Sequence, residues 1–150
     1  MLKAQGHGPE KNSMTDRCFV DTNIFIYTID SRDLRKQQVA RDLVIRLQTS
    51  RTLVISTQVL LEFFHAATRK VGYSPTEALS AADTFAISDV VPATNELVRS
   101  AMEISIIDQQ SIWDSMIIAA AVQRRCIILY SEDLGHGRKI RGLEVRNPFL

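Results

Sequence analysis

The chain has 150 residues, with 18 lysines and arginines against 17 aspartates and glutamates, and a formal net charge of +1. Its length fits one ordinary domain, and a hydrophobic fraction of 45% excludes a largely disordered chain. The charge balance excludes a polybasic nucleic-acid-binding protein and an acidic tail protein, but it leaves room for a local patch of either sign.

The amino-terminal stretch is polar and aperiodic, so residues 1–16 are predicted to form a disordered leader before one domain at residues 17–150. Within the domain, short apolar runs predict strands, and apolar residues at helical spacing predict helices. The predicted strands cover residues 18–21, 53–56, 90–92, 127–131 and 143–145, and the predicted helices cover 24–29, 34–47, 58–70, 75–87, 95–107 and 112–124.

Two helix starts carry recognisable caps. Thr57 is predicted to cap the third helix, and Ser74, Pro75 and Glu77 have the spacing of a capping box with proline at the first position. The alternation of strands and helices predicts an α/β fold with a mostly parallel sheet. Because the strands are continuous apolar runs, helices are expected to cover both faces of that sheet.

The two cysteines, Cys18 and Cys126, lack the close paired spacing of a disulfide framework or a zinc site. They are typical of buried thiols in a reducing compartment. The first residues contain no apolar segment of a signal peptide, and the longest apolar run, residues 116–122, is too short to cross a bilayer. The sequence therefore predicts a cytoplasmic protein.

Four acids lie at or near strand ends or helix starts. Asp21 closes the first predicted strand, and Asp133 follows the strand at residues 127–131. Glu62 lies in the second turn of the helix after residues 53–56, and Asp114 lies in the first turn of the alanine-rich helix at 112–124. Ligands of open α/β sheets bind beyond the carboxyl ends of the strands, so these acids are candidate site residues. Each also has an ordinary structural interpretation. Asp114 could complement a helix dipole, Glu62 could form a salt bridge, and Asp133 could be a turn residue.

Asp21 is the least ordinary of the four, because a carboxylate that ends a buried strand is an unusual use of a core position. If the four acids converge, they must raise one another's pKa or capture a cation. Hard oxygen ligands favour Mg²⁺ or Mn²⁺, and such ions can activate water and orient a phosphodiester. Neither His65 nor His136 has an evident serine or cysteine partner that would indicate a nucleophilic triad.

Each of the four acids lies in a distinct segment: residues 19–23 (FVDTN), 56–63 (STQVLLEF), 113–121 (WDSMIIAAA) and 129–137 (LYSEDLGHG). Together these segments resemble the PIN domain, and most closely the toxin ribonucleases of the VapC type. Residues 142–149 at the carboxyl terminus fit the same type. The resemblance covers residues 18–150, with the motifs in the expected order. Ser115 departs from it, since alanine is more usual after the aspartate.

The resemblance implies a PIN-like three-layer α/β/α sandwich with a central, mostly parallel sheet. It also implies a metal-dependent endoribonuclease with catalytic residues Asp21, Glu62, Asp114 and Asp133. We predict that Asp21, Asp114 and Asp133 hold Mg²⁺ or Mn²⁺ and that Glu62 orients the attacking water. Asn23 and Ser131 match supporting polar positions of the family.

The implied partners are an RNA substrate, a cognate antitoxin protein and a second copy of the chain in a homodimer. An acidic site repels a phosphate backbone, so basic residues near the site are expected to offset the repulsion. Arg138, Lys139 and Arg141 are predicted to contact the RNA because they closely follow Asp133. Trp113 is predicted to pack rather than to stack on a base.

Three alternative functions stay open at this point. One is a non-catalytic, metal-binding regulatory α/β domain of the phospho-receiver kind, with Asp21 as the acceptor, although no clear lysine partner follows the last strand. The second is a PIN domain that has lost catalysis and only binds. The third is a PIN nuclease of RNA processing that works without an antitoxin.

Overall fold

The computed structural model describes residues 16–150, so the predicted leader lies outside the described residues apart from Asp16. The strands are β1 (Cys18–Val20), β2 (Leu53–Ser56), β3 (Asp89–Val91), β4 (Ile128–Tyr130), β5 (Lys139–Ile140) and β6 (Leu143–Arg146). The helices are α1 (Thr22–Ile29), α2 (Leu34–Thr49), α3 (Thr57–Ala66), α4 (Pro75–Phe85), α5 (Asn95–Asp108) and α6 (Ile112–Gln123). A π-helical turn (Ala67–Val71) continues α3.

The strands form one sheet in the order β3-β2-β1-β4-β6-β5. All neighbouring strands are parallel except β5 and β6, which are antiparallel. Every residue of β1, β2 and β4 is buried, as expected for central strands that helices cover on both faces. The predicted three-layer α/β/α sandwich with a mostly parallel sheet is confirmed.

Three local features differ from the sequence prediction. Ser56 rather than Thr57 caps α3, because its Oγ accepts a hydrogen bond from the Val59 backbone N–H at 3.3 Å. The third predicted helix changes to π geometry after Ala66 and ends at Gly72, whose φ of 83° suits glycine. The edge strand β5 was not predicted, since two residues are too short to show alternation.

The predicted capping box of α4 is confirmed. The Ser74 Oγ accepts from the Glu77 N–H, and the Glu77 carboxylate accepts from the Ser74 N–H at 2.8 Å. This cap fixes the start of a helix that packs on α3 through an aromatic contact. Phe85 of α4 lies 5.0 Å from Phe63, ring centre to ring centre, and 4.5 Å from Phe25 of α1.

These aromatic contacts hold α1 and α3 together under the acidic residues. Phe63 is fully buried, whereas its neighbour Glu62, rotated from it by about 100° around the axis of α3, is half-buried. The same packing therefore sets the position of Glu62 relative to the start of α1.

No helix within residues 16–150 is both long and apolar enough to span a bilayer.

Candidate active site

The site lies where β1, β2 and β4 end side by side. Val20 at the end of β1 pairs with Tyr130 at the end of β4, and the Asp21 N–H donates to the Tyr130 carbonyl at 2.9 Å. The two segments that follow these strands therefore start at the same level of the sheet. On the other side of β1, β2 leads directly into α3, which carries Glu62.

Both carboxylate oxygens of Asp21 accept hydrogen bonds. Its Oδ1 accepts from the Thr22 N–H at 2.7 Å, which makes Asp21 the N-cap of α1. Its Oδ2 accepts from the Ser131 hydroxyl at 2.9 Å, and the same hydroxyl accepts from the Asp133 N–H at 3.1 Å. Ser131 is fully buried, so its hydroxyl connects Asp21 to the backbone of Asp133 in a fixed geometry.

Asn23 connects the start of α1 to the segment after β4. Its Nδ2 donates to the Asp133 Oδ2 at 3.0 Å, and its Oδ1 accepts from the Glu132 N–H at 3.3 Å. The structure therefore places both predicted supporting residues, Asn23 and Ser131, in contact with members of the acidic quartet.

Two residues that hold Glu62 were missed by the sequence reasoning. The buried Thr22 hydroxyl donates to the Glu62 Oε2 at 2.7 Å, and the Gln58 Nε2 donates to the Oε1 at 2.7 Å. Gln58 precedes Glu62 by one helical turn, a spacing that could have indicated the contact. Thr22 had no such local signal, because it lies 40 residues from Glu62.

Asp114 stands in the first turn of α6, where the Ser111 hydroxyl accepts its backbone N–H at 3.1 Å. Within residues 16–150 its carboxylate accepts no hydrogen bond from the protein. Its position suits the helix dipole and also leaves both oxygens free for a ligand. The preceding Trp113 is 67% exposed, so the prediction that it packs is wrong.

One cleft of about 520 Å³ brings the acidic quartet together. It is lined by Asp21, Glu62, Asp114 and Asp133, together with Thr22, Asn23, Ile26, Tyr27, Asp30, Arg32, His65, Ala66 and Lys70. The fold thus brings together four acids that lie far apart in the sequence, as predicted from their placement near strand ends and helix starts.

Burial raises the pKa of Asp21 to about 6. This pKa includes the opposite effect of the hydrogen bonds from Ser131 and Thr22 and a smaller upward effect of the negative charges of Glu62 and Asp133. At neutral pH, a bound cation would therefore compensate the free-energy cost of ionising Asp21.

The donor atoms of the cleft suit a hard divalent cation, since they are carboxylate oxygens without thiolate ligands. Among the described residues, however, no three acidic, histidine or cysteine side chains stand close enough to hold one ion as a group. The predicted three-ligand set of Asp21, Asp114 and Asp133 is thus not preassembled. Mg²⁺ is commonly bound by one or two carboxylates, with water and substrate phosphates completing its shell. The residues present fit that mode of binding.

The predicted RNA contacts Arg138, Lys139 and Arg141 do not line the cleft. They lie on or beside β5, which β6 separates from the central strands. Arg141 is held away by Asp108, whose carboxylate accepts from its Nε at 2.7 Å and its Nη2 at 3.2 Å. Contact of these residues with RNA outside the cleft stays a prediction.

A cluster of four side chains anchors the segment that carries Asp133. The Glu132 carboxylate accepts from the Lys36 ammonium and from the Tyr27 hydroxyl, the latter at 2.7 Å. The Lys36 Nζ lies 4.8 Å from the ring centre of Tyr27 and 5.2 Å from that of Phe149. The hydrogen bond to Glu132 raises the pKa of Lys36. The cluster ties the post-β4 segment to α1 and α2.

Replacing Lys36 with methionine should lower the free energy of unfolding by about 1–2 kcal/mol, because it leaves the partly buried Glu132 without its cation. Urea unfolding of the two proteins measures the loss. Arg99→Met is the matched control, since the ion pair of Arg99 with Glu103 is exposed and spans one helical turn at 3.4 Å. Equal losses in the two variants would contradict the role of the cluster.

The fold and the site define a class: a three-layer α/β domain with an acidic cleft at the carboxyl ends of its central strands. The family model of the PIN domain matches residues 18–140, and the chain belongs to this family. A comparison with curated proteins gave no match in sequence.

Several solved structures are similar in fold. The Mycobacterium tuberculosis VapC20 toxin, described as cleaving the sarcin-ricin loop, is 24% identical with a TM-score of 0.62, over 78% of this chain and 90% of that chain. The DNA-bound VapBC of Salmonella typhimurium is 18% identical with a TM-score of 0.60, over 89% and 98%. A toxin–antitoxin complex from Klebsiella pneumoniae is 17% identical with a TM-score of 0.64, over 87% and 97%.

Proposed function

We propose that the protein is a divalent-metal-dependent endoribonuclease whose catalytic residues are Asp21, Glu62, Asp114 and Asp133. The observation that carries the proposal is the convergence of these four carboxylates on one cleft in a chain of the PIN family. Family membership also argues against the phospho-receiver alternative. The network of Ser131 and Asn23 hydrogen bonds around the acids supports an intact catalytic site rather than one that only binds.

The carboxylates that would hold Mg²⁺ or Mn²⁺, directly or through water, are Asp21, Asp114 and Asp133. When bound, the ion supplies positive charge that orients the phosphodiester, stabilises the leaving oxygen and makes water more acidic. Glu62 orients the attacking water and accepts its proton as the water oxygen bonds to phosphorus and the bond from phosphorus to the leaving oxygen breaks. Solvent water supplies the proton that the leaving oxygen takes up. Thr22 and Gln58 each occupy one lone pair of a Glu62 oxygen, so the carboxylate is fixed yet keeps acceptor capacity for water.

We further propose that the nuclease is the toxin of a toxin–antitoxin pair, with a cognate antitoxin protein and a homodimeric state. The proposal is supported by the likeness to the VapC20 toxin and to the Salmonella and Klebsiella toxin–antitoxin complexes, which extends over at least 90% of each of those chains. The alternative is a PIN nuclease of RNA processing that has no antitoxin.

Purified protein should cleave one or more molecules in total cellular RNA in the presence of Mg²⁺ or Mn²⁺, and this cleavage should stop when EDTA is added. Sequencing of the new RNA ends identifies the substrate and the site. Asp114→Asn protein purified in the same way is the control for contaminating nucleases. This substitution should remove the activity without disturbing the fold, because the Asp114 carboxylate accepts no protein hydrogen bond within residues 16–150. A folded protein that cleaves no RNA with either metal would overturn the proposal.

The toxin assignment has its own test. Expression of the protein in a bacterial host should arrest growth, and co-expression of a small protein encoded beside its gene should relieve the arrest. RNA cleavage in vitro without growth arrest would instead favour the RNA-processing alternative.

A further inference from the structure

The segment after α3 has an unusual backbone. Ala67–Val71 is π-helical, and the Gly72 and Tyr73 N–H groups both donate to the Ala67 carbonyl. A π turn contains one residue more than an α turn, and such turns are frequent at functional sites. The extra residue changes which side chains of this segment share a face with Glu62.

The direction of the Lys70 side chain depends on this turn, which contains it. In an uninterrupted α-helix the eighth residue after Glu62 would be rotated from it by about 80°. With one residue absorbed by the π turn, Lys70 takes close to the position of a seventh residue, which lies on the same face. Glu62, His65, Ala66 and Lys70 accordingly all line the acidic cleft.

The charges of the cleft single out the same lysine. Five carboxylates line it, those of Asp21, Asp30, Glu62, Asp114 and Asp133, whereas its lysine and arginine residues are Arg32 and Lys70. Arg32 is engaged by Asp30, which accepts from its Nε at 2.9 Å and its Nη2 at 2.7 Å. Lys70 is exposed and makes no ion pair or hydrogen bond with any residue in the described part of the chain. It is therefore the cation of the cleft that a substrate anion can engage.

We propose that Lys70 binds an RNA backbone phosphate beside the bond that is cleaved, an inference that rests on the proposed ribonuclease function. Lys70 lies at most about 12 Å from Glu62 along the helix axis, so its ammonium reaches a phosphate next to the reacting one. An ammonium group acts on phosphate as a point charge and needs no fixed orientation of the chain. The contact offsets the repulsion between the acidic cleft and the phosphates that flank the cleavage site.

The test compares cleavage kinetics of Lys70→Ala, Lys70→Arg and Arg69→Ala with those of the unaltered protein. Arg69 is the matched control, since it is an exposed cation of the same π turn that does not line the cleft. Lys70→Ala should raise KM for single-stranded RNA roughly five- to tenfold with little change in kcat. It should also make the negative slope of log(kcat/KM) against log salt shallower by about 0.7, the value for one lost phosphate contact to a single strand. Lys70→Arg protein should have the KM and the salt dependence of the unaltered protein, and Arg69→Ala should change neither.

Two failures can be told apart. If the unaltered protein cleaves RNA but Lys70→Ala behaves like Arg69→Ala, the inference about Lys70 is overturned and the ribonuclease function stands. If the unaltered protein cleaves no RNA, the ribonuclease function is overturned and the inference that rests on it falls too.

Discussion

Asp21→Asn protein should cleave RNA at least about a thousandfold more slowly than the unaltered protein while keeping its fold. Asp21 accepts hydrogen bonds on both carboxylate oxygens, since it caps α1 and accepts from the Ser131 hydroxyl. Asparagine keeps an oxygen that can accept from the Thr22 N–H and an amide that can face Ser131. It removes the negative charge that a divalent cation requires, so the loss should fall on kcat rather than on folding.

The measurement is single-turnover cleavage of an RNA at saturating Mg²⁺ or Mn²⁺, with circular dichroism and urea unfolding to verify the fold. Asp83→Asn is the control, because Asp83 is an exposed acid of α4 outside the cleft, and it should retain full activity. Activity of Asp21→Asn protein within tenfold of the unaltered protein would contradict the assignment of the acidic site.

Without metal, Asp21 should destabilise the protein as the pH rises from 4 to 7. Its folded pKa of about 6 lies above the ordinary value of 3.8, so the folded state holds this proton more tightly than the unfolded state does. The contribution of Asp21 to stability is fully present below pH 4 and is lost as the pH rises through 6. A shift of this size corresponds to a loss of up to about 3 kcal/mol.

Urea unfolding in EDTA at pH 4, 5, 6 and 7 measures this effect as the difference between unaltered and Asp21→Asn protein. The difference is needed because ion pairs with Arg32, Arg141 and Arg146 lower the pKa of Asp30, Asp108 and Glu144, which gives them the opposite pH dependence. The variant should be more stable than the unaltered protein at pH 7 and equal to it at pH 4. An equal difference at all four pH values would contradict the prediction.

Metal should reverse this order. A cation that binds only the folded state stabilises it in proportion to the logarithm of its concentration over Kd. Millimolar Mg²⁺ or Mn²⁺ should therefore raise the stability of the unaltered protein at pH 7 and have little effect on Asp21→Asn protein. Equal stabilisation of both would show that the ion binds elsewhere.

The amino-acid sequence by itself determined the architecture. Continuous apolar runs such as residues 53–56 predicted central strands, because a strand covered on both faces has no polar side. The cap residues of α4 predicted its start, since capping depends on neighbours within one turn. The positions of Asp21 and Asp133 after two strands predicted their proximity, because parallel strands end at one edge of a sheet.

Only the tertiary structure decided how the site is completed. Thr22 reaches Glu62 over 40 residues and Ser131 reaches Asp21 over 110, distances at which a sequence pattern carries no information about side-chain contact. The direction of Lys70 depends on a π turn that helical periodicity does not reveal. Arg141 was predicted near the cleft from its distance along the chain, but the antiparallel β5–β6 pair carries it to the far edge of the sheet, beside Asp108. Local patterns specify elements and their ends, whereas the partners of a side chain depend on which distant elements pack against it.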